Sequence, residues 1–124
     1  MGGCAQKTTE VEQKSIERRA PLQQMTIEEQ QKEAFGIFTK ILLLSDSPER
    51  DKNLPEIKFL YREIIEKYPD IGLAQESYLR LVMEAKKENT TAGDAEAEGL
   101  YREYLQKYPD SRMQPIIESE LKKK

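Results

Sequence analysis

The sequence predicts an all-α fold: two 40-residue helix-turn-helix repeats and a capping helix, five helices stacked as an α-solenoid. The first observation is an internal repeat, because LYRE at 60–63 returns at 100–103 and KYPD at 67–70 returns at 107–110. The second is that apolar residues recur three and four positions apart between short polar stretches. A fixed period of this length is typical of stacked units that cannot bury their apolar faces alone.

The first repeat is predicted to contain two helices. Thr26 and Glu29 have the T-x-x-E spacing of a capping box, which predicts that the first helix begins there. Its predicted core stripe is Ala34, Phe35, Phe38, Ile41 and Leu42. The polar stretch 45–53 predicts a loop, and Pro55 then fits the first turn of the second helix, where its missing N–H costs little. The second helix has the stripe Ile57, Leu60, Tyr61, Ile64, Ile65 and Tyr68.

The second repeat follows the same plan. Pro69 ends the second helix, and Asp70 is the predicted N-cap of the third. The third helix has the stripe Leu73, Ala74, Tyr78, Leu81, Val82 and Ala85. A second loop is predicted at 88–94. The fourth helix has the stripe Ala97, Leu100, Tyr101, Tyr104, Leu105 and Tyr108. The tyrosines are thus predicted to pack in the core or at its edge, whereas Arg62, Glu63, Arg102 and Glu103 are predicted to face solvent.

The fifth helix, opened by an S-x-x-Q motif at Ser111, is predicted to close the array. In the 40-residue register it keeps half of the apolar surface of the third helix and replaces the other half with polar residues. Tyr78 becomes Glu118, for example, whereas Leu81 remains apolar as Leu121. A helix with this pattern packs on one side and meets water on the other, as the polar cap of a repeat array must.

Composition excludes several classes of function. A net charge of −3 argues against binding the nucleic-acid backbone. No apolar run approaches the roughly 20 residues needed to cross a bilayer. The chain has no His and one Cys, so the usual general base and metal ligand are missing, as are zinc sites built from several thiolates. We expect no catalytic residues, no cofactor and no metal site.

Residues 27–124 resemble the tetratricopeptide repeat (TPR) family, helix-turn-helix units that stack into a right-handed superhelix. The first helices carry an aromatic residue followed by two apolar residues, and the second helices carry an aromatic residue and a terminal proline. The matching residues are Phe38, Ile41, Leu42, Tyr61 and Pro69 in the first repeat, and Tyr78, Leu81, Val82, Ala97, Tyr101 and Pro109 in the second. The period of 40 departs from the usual 34. The Tyr-Pro-Asp endings resemble divergent repeats of bacterial envelope lipoproteins.

The family resemblance implies a partner-binding groove lined by the first helix of each unit. The implied groove residues are Thr39, Leu43, Leu79, Met83, Lys86 and Lys87. Leu43, Leu79 and Met83 would form an apolar strip edged by lysines, a surface suited to an extended or helical peptide with some acidic character. The alternative interpretation is that Leu43 and Leu79 only complete the interhelical core.

Cys4 follows two glycines, and small residues before a cysteine resemble the end of a bacterial lipobox, where the cysteine becomes the acylated mature N-terminus. Because no signal peptide precedes it, this interpretation takes Met1 as an expression start placed just before the cleavage site. Ala5 then favours the outer membrane, and residues 1–25 would be a flexible tether for the helical domain at 26–124. The alternatives are a myristoyl and palmitoyl pair of eukaryotic type, and an incidental cysteine.

These features predict a non-catalytic protein- or peptide-binding module of a bacterial cell-envelope lipoprotein, an adaptor or assembly factor in the periplasm anchored to the outer membrane. The expected partners are a protein or peptide and, through lipid on Cys4, the membrane, with no nucleic acid. The alternative function is a structural, self-associating scaffold subunit of an envelope complex.

Overall fold

The structure, a computed structural model, describes residues 25–123. Within that range it is all-α. The five helices are α1 (Ile27–Asp46), α2 (Arg50–Lys67), α3 (Gly72–Lys87), α4 (Thr91–Lys107) and α5 (Gln114–Leu121). The predicted all-α class and the number of helices are therefore confirmed for the described part of the chain. Apart from Met25, the predicted leader lies outside the described residues.

Side-chain caps fix the start of two helices. The predicted capping box of α1 is present: the Glu29 amide donates to Thr26 Oγ1 at 3.0 Å, and the Thr26 amide donates to Glu29 Oε1 at 3.1 Å. The Gly93 amide likewise donates to Thr90 Oγ1 at 2.9 Å and starts α4. Each cap satisfies an amide that has no partner within the helix.

Both predicted loops are shorter in the structure. The helices leave only residues 47–49 and 88–90 as connections, so Pro55 lies inside α2 and not in its first turn. The polar residues that predicted loops instead occupy helix ends and hold neighbouring helices together. Asn53 Nδ2, for example, donates to the Leu44 carbonyl across the first connection at 3.2 Å.

The predicted N-cap of α3 is also wrong. Ile71 occupies the N-cap position and makes no side-chain cap. Asp70 instead accepts a hydrogen bond from Gln30 Nε2 of α1, at 3.2 Å. Gln30 is almost fully buried, so the carboxylate supplies a partner to a polar group that folding removes from water.

The core is centred on α3, which packs against α2, α4 and α5. Tyr78 of α3 and Tyr104 of α4 are both fully buried, and their rings meet edge to face with centroids 5.7 Å apart. Tyr108, half-buried at the end of α4, packs edge to face on Tyr78 at 6.2 Å. The aromatic residues at the predicted core positions of α3 and α4 thus form one cluster.

The predicted stripe of α1 is only partly buried. Ala34 and Ile41 are fully buried, but Phe35 is 64% and Leu42 46% exposed. The helix turns a narrower face toward α2, centred on the line that includes Gln30, and leaves the flank with the two larger apolar side chains in water. The prediction that Phe35 and Leu42 belong to the core is therefore wrong.

The last helix packs on one side only. Ile117 is fully buried, and Met113 and Leu121 are partly buried against the core, whereas Ile116 and Lys122 are exposed.

Among the described residues, every helix is too short or too polar to span a bilayer.

Candidate partner-binding site

The structure divides the six predicted groove residues among three places. Met83, Lys86 and Lys87 line a cleft between the C-terminal ends of α3 and α5. Thr39 and Leu43 are exposed on α1, and no α1 residue lines that cleft. Leu79 is partly buried against the core, which agrees with the interpretation that it completes the interhelical packing. The other part of that interpretation is wrong for Leu43, which is 70% exposed.

The α3–α5 cleft has a volume of about 430 Å³. Its lining residues are Met83, Lys86, Lys87, Asn89, Glu120 and Lys123. Asn89 has a φ of 53°, a left-handed conformation that asparagine tolerates better than most residues, and it ends α3 at the mouth of the cleft. The sequence carries no groove signal at Asn89, Glu120 and Lys123, because the first lies in a predicted loop and the other two in the predicted capping helix.

The lysines around the cleft are paired with carboxylates. Lys86 Nζ lies 2.9 Å from Asp94 Oδ1, and Lys123 Nζ lies 2.6 Å from Glu120 Oε2. Lys87 Nζ lies 3.8 Å from Glu84 Oε2. Each pair has one partner that is more than half exposed, so solvent weakens the pairing and a carboxylate of a ligand can replace it at little cost. The surface therefore carries both signs of charge and is less cationic than the sequence predicts.

The cleft offers one apolar side chain and several hydrogen-bonding groups. Met83 presents a flexible apolar side chain, and the lysines and Asn89 present hydrogen-bond donors. Within residues 25–123 there is no group of three or more metal-ligating side chains that could hold an ion. The arrangement can hold a peptide through one apolar contact and several polar ones.

A second polar cluster lies between α2 and α4. Arg62 forms an ion pair with Glu103, and the Tyr78 hydroxyl donates to the same carboxylate. The guanidinium and the phenol hold the pKa of Glu103 below its ordinary value of 4.5. Burial, followed by the hydrogen bond to Glu103, raises the pKa of Tyr78 well above its ordinary value.

This cluster corrects the prediction that Arg62 and Glu103 face solvent. Arg62 is the arginine of the first LYRE motif and Glu103 the glutamate of the second, so stacking of the repeats pairs adjacent positions of one motif. The repeated motif was the signal from which this contact could have been predicted. Arg102 is exposed and pairs within its own helix with Glu98, at 3.4 Å, as predicted for a solvated residue.

Comparisons of the chain with protein-family models, with curated proteins and with solved structures found no match.

Proposed function

We propose that the chain is a non-catalytic, TPR-like module that binds a peptide segment of a partner protein in the α3–α5 cleft. The observation that carries the proposal is the cleft itself, where Met83 lies among Lys86, Lys87, Glu120 and Lys123. An apolar contact surrounded by charges of both signs favours a peptide with one apolar anchor and at least one carboxylate. The module would act as an adaptor or assembly factor.

The energetics of the cleft favour reversible binding. Lys87 is 60% exposed, and its buried partner Glu84 also forms an ion pair with Arg50, so Lys87 can turn to a ligand without leaving a buried charge unpaired. Lys86 is 15% exposed and better fixed, and it would define the orientation of the bound carboxylate. Met83 would adapt to apolar anchors of different shape.

A double variant tests this site. Met83→Glu/Lys87→Glu reverses charge and removes the apolar anchor at exposed or half-exposed positions, and Arg102→Glu on α4 is the matched charge reversal outside the cleft. Each purified variant is used to capture partners from an envelope fraction of the source organism, after circular dichroism has shown equal folding. We expect the double variant alone to lose the partner. An unchanged set of captured proteins contradicts the proposal.

We further propose that the module is held at the bacterial outer membrane by lipid on Cys4, which lies outside the described residues. The support is the sequence around Cys4, with two glycines before it and Ala5 after it. Intact-mass measurement of the protein extracted from native membranes tests this directly. A diacylglyceryl mass on the N-terminal peptide is expected, and an unmodified thiol contradicts the proposed anchor.

The alternative to partner binding is a self-associating scaffold subunit. A defined oligomer of the purified chain would support that alternative.

A further inference from the structure

The helix α1 carries an exposed apolar flank. Phe35 is 64%, Leu42 46% and Leu43 70% exposed. With Thr39 they lie at spacings of three and four residues along one side of the helix, and this side ends at Asp46. We call these five residues the α1 face. Exposed apolar surfaces of this kind mark interaction sites.

The internal repeat shows what covers the same surface elsewhere in the molecule. Forty residues after Phe35, Thr39 and Leu43, the equivalent positions of α3 are Gln75, Leu79 and Met83. Gln75 contacts the turn before α5, and Met83 faces α5 across the α3–α5 cleft.

Two contacts fix the position of α5 on this part of α3. Gln75 Oε1 accepts a hydrogen bond from the Ser111 hydroxyl just before α5, and Met83 shares the cleft with Glu120 of α5. Leu79, between them, is partly buried. In the second repeat, this surface of α3 is therefore covered by a short amphipathic helix, α5.

The first repeat lacks an equivalent cover. In the 40-residue register, the pair α1 and α3 corresponds to the pair α3 and α5. α5 packs extensively on α3, whereas α3 does not pack on α1 to the same extent. The α1 face is therefore exposed in the part of the chain that the structure describes, and Leu43 and Phe35 are its most exposed apolar side chains. Burial of these large apolar side chains by a partner would therefore stabilise a complex.

The charged residue at the C-terminal end of the α1 face has the opposite sign to the equivalent residue of α3. On α3 the stripe ends at Lys86, which lines the same cleft as Glu120 of α5, although Lys86 pairs with Asp94 and Glu120 with Lys123. The equivalent residue of α1 is Asp46. A helix that covers α1 in the same way is therefore complementary when it has a cation where α5 has Glu120.

We propose that the α1 face is the docking surface for an amphipathic helix of a partner protein, which lies on α1 as α5 lies on α3. The partner helix has apolar side chains at i, i+4 and i+8, the spacing of Met113, Ile117 and Leu121, and a lysine or arginine in its last turn beside Asp46. This surface is separate from the α3–α5 cleft, and the inference does not rest on the function proposed for that cleft.

The test uses two labelled peptides and the full chain. One peptide has the sequence of residues 111–124, and the other has the same sequence with Glu120→Lys. Fluorescence anisotropy measures their binding to the protein at low ionic strength. We expect the Glu120→Lys peptide to bind about threefold or more tightly than the unaltered one, because it meets Asp46. The chain variant Asp46→Lys should reverse this preference.

Surface variants identify where the peptide binds. Phe35→Gln/Leu43→Gln should weaken binding of the Glu120→Lys peptide about fivefold or more, since it removes two apolar contacts. Phe59→Gln is the matched control, because Phe59 is an equally exposed aromatic residue (67%) on α2, and it should leave binding unchanged. Absence of binding, or binding that Phe35→Gln/Leu43→Gln does not weaken, overturns the proposal.

Two further outcomes would also overturn it by identifying a different occupant. Sedimentation equilibrium of the chain alone could show a dimer that Phe35→Gln/Leu43→Gln dissociates, and the occupant would then be a second copy. Hydrogen exchange could show amides in residues 1–24 that lose protection in the same variant, and the occupant would then be the chain's own leader. A monomer without such protection, together with the peptide preference, supports a partner helix.

Discussion

The two fully buried tyrosines have different polar surroundings. The Tyr78 hydroxyl donates to Glu103, whereas the Tyr104 hydroxyl has no hydrogen-bond partner among the described residues. A buried hydroxyl without a partner loses its hydration and gains nothing in return. The aromatic ring of Tyr104 therefore stabilises the core through packing, and its hydroxyl opposes that effect.

Removal of each hydroxyl should have opposite consequences. We expect Tyr104→Phe to leave the free energy of unfolding unchanged or to raise it by up to about 1 kcal/mol. Tyr78→Phe should lower it by about 1–2 kcal/mol, because it removes a bond to a carboxylate. Urea unfolding monitored by circular dichroism measures both. A larger loss for Tyr104→Phe than for Tyr78→Phe would contradict this assignment.

The helices α3 and α4 approach each other so closely at one position that only glycine fits there. Gly93, in the first turn of α4, is buried, and a Cβ atom there would collide with the Ala85 carbonyl oxygen of α3. The same Cβ would also contact Glu88 and Thr90. The backbone of α4 can therefore approach the end of α3 closely only with glycine at this position.

Two glycines of α4 allow a matched comparison. Gly93→Ala should lower the free energy of unfolding by about 1–3 kcal/mol, because the two helices must separate. Gly99→Ala should raise it by about 0.5–1 kcal/mol, because that position is exposed with open space around it and alanine favours the helix. Thermal and urea unfolding measure both changes. Equal effects of the two substitutions would rule out the close contact.

Because of the contact between Arg62 of α2 and Glu103 of α4, the free energy of unfolding should decrease at acid pH. The folded state lowers the pKa of Glu103 below 4.5, so the stabilisation is complete well above that value and is lost as the pH falls through the lowered pKa. Glu103→Gln should therefore show a shallower loss of stability than the unaltered chain between pH 6 and about pH 3. Urea titrations at several pH values measure the slopes. Glu98→Gln, which changes only a pair within α4, should keep the slope of the unaltered chain.

Across the whole described domain, α5 is packed onto its neighbours and is not a loosely attached end. It contacts both α3 and α4, and Ile117 is buried completely between them. Its neighbour Ile116 points away from the core and is 51% exposed. Since each unit of a repeat array is stabilised by its neighbours, loss of the α5 contact should weaken the array as a whole.

The adjacent isoleucines test this. Ile117→Ala should lower the free energy of unfolding by about 2–5 kcal/mol, because it leaves a cavity in a packed interface. Ile116→Ala should change it by less than about 0.5 kcal/mol, as is usual for surface positions. Native-state hydrogen exchange should show reduced protection in α3 and α4 as well as α5 for Ile117→Ala. Reduced protection confined to α5 would contradict the integral role.

Local spacing in the sequence was enough to predict the helix class, the number of helices and most of the buried stripes of α2, α3 and α4. It also determined the capping box at Thr26 and the one-sided packing of α5. These features depend on local spacing: capping needs residues three apart, and a stripe needs apolar residues three and four apart. Loop lengths were overestimated because polar residues favour helix ends as well as loops.

Which neighbouring helix covers each face of a helix depends on tertiary packing. Spacing showed that Phe35 and Leu42 share a side of α1 with buried residues, but not that this side lacks a covering helix. It likewise could not separate Leu43 on α1 from Met83 in the α3–α5 cleft. The physical reason is that periodicity defines which residues lie together on one helix, whereas burial depends on how the repeats pack against one another.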